Sequence, residues 1–458
     1  MKRKFTRYLD EWRLRETRKP LIVRGARQIG KTYIIEEFGK SNYEQFVKVD
    51  FEEIPELIGL FATNDVFRIR QDIEVFFNTK LIDGKTLLFL DEIQLAPKAI
   101  AALRYFYEKM PEVDVIAVGS LLDHTLNDLG FPMPVGRVEF AYMYPMDFIE
   151  FLDAANETSL VDFIQKYQFP QPIATPIHEK ILRYVRLYYV IGGMPEAVKK
   201  FVEDNNLPEV ERVHESILKS LEYDFSKYGT RSQQSIMIKL LKYIPTAIGQ
   251  KFKYSNAVPE QRAESIRAAL ALMEMSRLIA LVKSTSASGV PLSLGVSERA
   301  FKPLFLDIGL ANHLLRLRLT DIDNLNTINE GSLAEQFVGQ QLQCSEQFYI
   351  ESELYYWMRN KRNSEAEIDF VEESNNLPLP IEVKAGKSGT LKSLQVYMFE
   401  KKLELAVRFN TDQPTKTNID TSVRVGTEMC KVRFNLVSLP LYLVSEYSRI
   451  INSEKLNP

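Results

Sequence analysis

The chain has 458 residues, more than one ordinary core holds, and this length predicts three or four domains. With 45% hydrophobic and 26% charged residues it has the composition of a folded protein rather than a disordered one, and a net charge of -3 argues against a globally basic nucleic-acid coat, so any nucleic-acid contact needs a local patch. Its apolar runs fall short of the ~20 residues of a membrane span and no apolar core follows the basic amino terminus, which predicts a cytoplasmic protein without membrane contact; Cys344 and Cys430 have no partner at metal spacing, which argues against zinc and disulfides.

In chain order, Phe5, Tyr8, Leu9, Trp12 and Leu14 among charges predict a helix with one packed face. Pro20 to Arg24 reads as a short buried strand, and Tyr33 to Phe38 as an amphipathic helix. Between them lies Gly25-Ala26-Arg27-Gln28-Ile29-Gly30-Lys31-Thr32, which fits G-x-x-x-x-G-K-S/T at every fixed position. Strand, glycine loop and helix in that order form a phosphate cradle: the glycines let backbone N–H groups converge, and the helix start favours an anion. Lys31 is expected to reach the β and γ phosphates of a nucleoside triphosphate and Thr32 to place its hydroxyl on Mg²⁺. Gln45 to Phe51 reads as the next strand and Asp65 to Phe77 as a helix.

Lys85 to Leu90 is an apolar strand that ends in Asp91 and Glu92, a pattern that suits a parallel strand covered on both faces. This resembles the Walker B element of P-loop ATPases, in which Asp91 would hold the Mg²⁺ shell and Glu92 would orient or deprotonate the attacking water. Two acids in this place also suit the cap of a following helix. Val115 to Gly119 is a further buried strand that leads to Ser120, and it resembles the sensor strand of AAA+ ATPases. Arg137, just ahead of another strand, is either an arginine finger or a salt-bridged surface residue.

From about Tyr144 the spacing turns helical, and the helix from His178 to Val190 runs into Gly192-Gly193-Met194-Pro195. A similar glycine-proline turn lies against adenine in AAA-type and STAND-type ATPases, which makes Pro195 a candidate nucleotide contact beside the plainer reading of a helix corner. Helices over Val213 to Tyr228, Ser232 to Tyr243 and Glu260 to Met275 precede two strand-like runs at Leu278 to Val282 and Phe301 to Leu306. Helices followed by a two-stranded wing suggest a winged helix, with Lys239, Lys242, Lys251, Lys253, Arg262 and Arg267 as either a DNA-facing or a solvated surface. After a polar linker, a helix carries Glu335. Glu365, Glu367 and Asp369 alternate on one strand, and Glu382 and Lys384 share a face of the next.

Together RGARQIGKT (Arg24 to Thr32), LFLDEIQ (Leu88 to Gln94), GSLL (Gly119 to Leu122), GGMPEAV (Gly192 to Val198), FLDIGL (Phe305 to Leu310), EIDF (Glu367 to Phe370) and IEVKAG (Ile381 to Gly386) resemble the prokaryotic AAA-type (AAA+ superfamily) P-loop ATPases that carry a winged helix and a C-terminal PD-(D/E)xK nuclease-like domain. The resemblance implies an α/β multidomain fold. It places a P-loop parallel-sheet ATPase core at 1-152, a helical lid at 153-228, a winged helix at 229-320 and a restriction-endonuclease-like α/β domain at 321-458. It also implies ATP with Mg²⁺ as cofactors, DNA as a partner and homo-oligomers. In the last domain it makes Glu335, Asp369 and Glu382 ligands of Mg²⁺ or Mn²⁺ and gives Lys384 the attacking water, although Ile368 stands where the motif has proline. A switch or scaffold whose tail binds without cutting is the alternative, and exposed salt bridges are the plain reading of the paired acids and lysine.

Overall fold

A computed structural model describes residues 1–119, 134, 136–317, 330–359, 366–384 and 391–455. The chain forms two compact units. The first joins Met1–Pro145 to two short returns of the chain, Ala271–Leu278 and Glu346–Glu351; the second holds the rest.

The first unit is built on β1 (Leu21–Arg24), β2 (Gln45–Asp50), β3 (Thr86–Asp91), β4 (Asp114–Val118) and β5 (Glu139–Tyr142), all parallel in the order β2-β3-β4-β1-β5. The central strands β3 and β4 are buried along their whole length, as their unbroken apolar runs require of strands with no water-facing side. Helix Lys31–Asn42 turns Ile34, Ile35 and Phe38 inward, and Pro97–Lys109 turns Ile100, Leu103 and Phe106 inward. Helix Val66–Phe76 starts at Asp65, whose side chain accepts from the N–H groups of Phe67 and Arg68. The amino-terminal helix, Lys4–Arg13, buries Phe5, Tyr8, Leu9 and Trp12, whereas Leu14 lies beyond its end and is exposed. Phe348, from the return Glu346–Glu351, accepts the N–H of Tyr142 on β5 at 2.7 Å and sets its ring edge-on to Phe5, 5.1 Å away. The parallel order matters for chemistry, because β4 lies between β1, which feeds the glycine loop, and β3, which ends in the two acids.

In the second unit, helices Phe148–Ala154, Thr175–Ile191, Pro195–Asp204 and Leu207–Tyr228 precede a mixed sheet of eight strands. These are β6 (Ile279–Thr285), β7 (Val296–Phe305), β8 (Tyr355–Met358), β9 (Glu367–Ser374), β10 (Leu377–Val383), β11 (Leu405–Asn410), β12 (Thr415–Val425) and β13 (Glu428–Pro440), in the order β12-β13-β11-β10-β9-β8-β6-β7. The two strands expected as the wing of a separate domain are therefore one edge of this sheet: β6 pairs in parallel with β8 through Lys283 opposite Tyr355 and Ser284 opposite Tyr356. The reason is that β6 has two edges, and a wing hairpin with β7 satisfies only one of them. The expected boundary at 320/321 falls outside the described residues, but the sheet spans it.

Helix Glu330–Ser345 anchors this unit by side-chain amides. Gln336 both accepts from and donates to the backbone of Phe305 (2.9 and 2.8 Å), Gln340 accepts from the N–H of Ile308, and Gln341 accepts from the N–H of Phe148. Each amide meets a backbone group that would otherwise be buried without a partner.

Candidate active site

The glycine loop runs off β1 into helix Lys31–Asn42 as expected. Gly30 caps that helix with φ 87° and ψ 22°, a left-handed conformation that a residue with a Cβ adopts only with strain. At Gly25 a side chain is excluded by space as well, since a Cβ there would lie 2.4 Å from the carbonyl oxygen of Met143. Gln28 is also left-handed, Ala26 and Ile29 are buried, and Arg27 lies 3.6 Å from Glu52. The Lys31 ammonium is buried and donates to the carbonyls of Gly25 (2.8 Å) and Ala26 (2.6 Å). Burial lowers its pKa to about 8, against the opposing pull of Glu92 and Asp91.

The Thr32 hydroxyl is 3.3 Å from Oδ1 of Asp91, which joins the loop to the end of β3. That places an alcohol and a carboxylate side by side, the hard oxygen set that suits Mg²⁺. The other Asp91 oxygen is 3.3 Å from the ammonium of Lys48, which also holds Glu36 at 3.1 Å and Asp50 at 3.0 Å. Burial raises the pKa of Asp91, and Lys48 works against that rise. Lys48 itself is held above its ordinary value: partial burial opposes the charge, but Asp50 and Glu36 more than compensate. Glu92 follows in a left-handed conformation (φ 51°, ψ 44°) and accepts a hydrogen bond from the side-chain amide of Gln94. Sequence reasoning missed Lys48 and Gln94 as members of this site. For Lys48 the available signal was its place two residues before Asp50 on the strand beside β3.

The remaining predicted nucleotide residues are placed differently. Ser120 lies outside the described residues. Arg137 is exposed and donates to Glu108 at 2.9 Å, and Arg104 shares that carboxylate at 3.1 Å. Pro195 begins helix Pro195–Asp204, and the turn before it is bound to the buried Asp307.

In the second unit Asp369 and Glu382 come together on adjacent strands. β9 and β10 are antiparallel with Phe370 opposite Ile381, and Oδ2 of Asp369 accepts the N–H of Val383 at 2.8 Å. Lys384 meets Glu382 at 2.6 Å. A residue outside the expected set stands among them. Lys302 on β7 has 2% of its surface exposed, and its ammonium lies 2.5 Å from Glu367, 3.2 Å from Glu335 and 3.6 Å from Asp369. Burial opposes its charge, yet Glu335, Asp369 and Glu367 hold its pKa well above the ordinary value. Burial and the neighbouring Asp369 raise the pKa of both Glu335 and Glu382. Glu335, expected as a metal ligand, is bound to Lys302 instead. Among the described residues no group of three or more His, Cys, Asp or Glu side chains is spaced to hold a metal ion. The Lys302 ammonium instead lies among Glu335, Glu367 and Asp369.

Residues 17–152 match a family model described as an AAA domain, and with the parallel sheet and glycine loop this makes the first unit a P-loop ATPase-type domain of the AAA class. Two models described as domains of unknown function, DUF8612 and DUF4143, match residues 182–321 and 330–425. Similar solved structures include the Walker-type ATPase PABY2304 of Pyrococcus abyssi, at 16% identity and TM-score 0.44, over 68% of this chain and 94% of that one. The Aeropyrum pernix ORC2 protein in ADPNP–ADP complexes follows at 12% and 0.34, over 70% and 92%, and the ORC1 protein of that organism in complex with DNA at 10% and 0.30, over 68% and 90%. No curated protein matches this chain. No helix among the described residues is long and apolar enough to cross a membrane.

Proposed function

We propose that the chain is an ATPase that binds ATP with Mg²⁺ in the glycine loop and hydrolyses it. The observation that carries this reading is the 3.3 Å approach of the Thr32 hydroxyl to Asp91 beside Lys31, because it brings the phosphate-binding and metal-binding groups to one point. Backbone N–H groups of Gly25 to Thr32 and the Lys31 ammonium would hold the phosphates. Mg²⁺, when bound, would neutralise charge on the β and γ phosphates, with Thr32 and Asp91 as its protein partners. Glu92, oriented by Gln94, would take a proton from water as the water oxygen bonds to the γ phosphorus and the bond to the β–γ bridging oxygen breaks, which leaves ADP and phosphate. Lys48 would hold Asp91 in place. Ser120 would sense the γ phosphate, Arg137 would act as a finger to a neighbouring copy in a homo-oligomer, and Pro195 would lie near adenine.

The same reading places the protein in the cytoplasm and in association with DNA, through the basic residues around helices Arg231–Tyr243 and Ala263–Met275. Lys239 of that surface is already paired with Glu260. The nuclease-like reading of the tail is supported by the meeting of Asp369, Glu382 and Lys384, while Lys302 lies among the acids that a metal-dependent cut would need. That observation favours the second reading, a nucleotide-dependent switch whose tail binds a partner without cutting it. Phosphate release by wild type and by Lys31→Ala and Glu92→Gln tests the ATPase: hydrolysis confined to wild type supports it, and equal hydrolysis by Glu92→Gln rejects the assigned base. Supercoiled DNA incubated with Mn²⁺, beside Asp369→Ala, separates the two readings of the tail.

A further inference from the structure

We propose that Lys302 is a tethered cation that takes the place of a metal ion in the acidic site of the carboxy-terminal sheet, so that the site is closed to divalent ions until that charge is removed. The inference rests on the nuclease-like reading of Asp369, Glu382 and Lys384 and departs from it in the metal. Four carboxylates, Glu335, Glu367, Asp369 and Glu382, surround two ammonium groups, those of Lys302 and Lys384. Lys302 comes from a different part of the chain than the other five, on β7, which is the edge strand beyond β6, and the strand fixes its stem. Its ammonium also lies 5.4 Å from the centre of the Tyr356 ring, so aromatic and anionic groups share the work of a counter-ion.

A lysine ammonium is a compact point charge, the side chain closest to a metal ion in size and charge density. It differs in two ways: it carries one charge rather than two, and it cannot exchange. Mg²⁺ needs oxygen ligands at about 2.0–2.1 Å and Mn²⁺ prefers a similar set, so either ion among these carboxylates would lie within a few ångströms of the Lys302 charge. The site keeps one sign of unmet demand. Oε2 of Glu382 is buried, with 4% of the residue exposed, and has no hydrogen-bond partner, while its sister oxygen is held by Lys384. An acceptor buried without a donor is costly, and here it leaves a carboxylate oxygen that a cation would satisfy once Lys302 is replaced by an uncharged side chain.

The experiment is Mn²⁺ binding by the full chain without nucleotide, followed by electron paramagnetic resonance, with Asp369→Asn defining the signal from this site. Wild type is expected to bind no Asp369-dependent Mn²⁺ up to millimolar concentration, and its melting temperature is expected to be the same in Mn²⁺ and in EDTA. Lys302→Met is expected to gain Asp369-dependent binding at least tenfold tighter than wild type, and to melt higher in Mn²⁺ than in EDTA. Asp369-dependent binding by wild type that Lys302→Met does not tighten overturns the inference and leaves the metal reading standing. Binding by neither protein overturns both. Should Lys302→Met fail to fold, Lys302→Met combined with Glu335→Gln removes one charge of each sign and is judged by the same criteria.

Discussion

Asp307 and Gly193 are 114 positions apart in sequence, and the carboxylate of the first accepts the backbone N–H of the second at 2.6 Å. Asp307 is fully buried, and its other oxygen accepts from the N–H groups of Gly309 and Leu310. Burial raises its pKa and these backbone donors oppose the rise. Gly192, next in the turn, has φ 72° and no room for a side chain, since a Cβ would lie 2.0 Å from Oδ1 of Asp307.

Asp307→Asn is therefore expected to lower unfolding stability by about 2 kcal/mol, the scale of a hydrogen bond to a charged group, because an amide presents donors where the turn also donates. Gly192→Ala is expected to cost at least as much by strain and contact. Urea unfolding of each checks this, and a loss within measurement error for both would mean that the turn is held by something else.

ATP binding is expected to take up protons in alkaline solution. The free Lys31 ammonium loses its proton near pH 8, and bound phosphates would favour the charged form, so uptake is absent at pH 7, grows above pH 8 and weakens binding there. Calorimetry in buffers of different ionisation heat reads the proton count. The slope is expected to be near zero at pH 7 and to rise above pH 8, and Lys31→Met is expected to lose measurable ATP affinity.

Glu92→Gln is expected to retain ATP and to lose turnover by roughly 10²–10⁴-fold, the usual worth of a positioned acid or base. Gln94→Ala, which removes its hydrogen bond to Glu92, is expected to lower kcat by less and leave ATP affinity unchanged. Single-turnover phosphate release beside nucleotide titration checks both.

Lys48→Ala is expected to reduce kcat about tenfold through loss of the hold on Asp91, with Lys48→Arg restoring part of it. Equal activity at all Mg²⁺ concentrations in Lys48→Ala would show that Asp91 keeps its place without the ammonium.

Arg137→Ala separates its two roles. As an exposed partner of Glu108 it should leave the unfolding midpoint nearly unchanged, whereas as a finger it should lower turnover far more than affinity and abolish any rise of activity per chain with protein concentration.

The first unit was largely legible because its signals are local. The glycine loop, the apolar run ending in Asp91 and Glu92, and the strands around them each lie within a few residues. Asp369, Glu382 and Lys384 were legible for the same reason, since period-two alternation and one turn bring them together. What was not legible came from afar: Lys302 reaches the acids from a strand read as part of a wing, and Asp307 reaches the glycine turn across 114 positions. Neither pairing has a periodicity to betray it. β11, β12 and β13 and the helix Lys392–Lys401 also went unread; of these, β12 is a largely exposed strand whose residues carry little apolar alternation.

The return at Glu346–Glu351, which caps β5 through Phe348 and packs on Phe5, has a consequence for synthesis. A ribosome that has released residue 145 has made every strand of the nucleotide-binding sheet but not the piece that covers its edge. Some two hundred more residues must emerge first, so the Tyr142 N–H and the face of Phe5 wait for their partner while the second unit is being made. A nascent chain stopped short of residue 348 would leave the Tyr142 end of this parallel edge open, the kind of surface to which chaperones and stray strands are drawn.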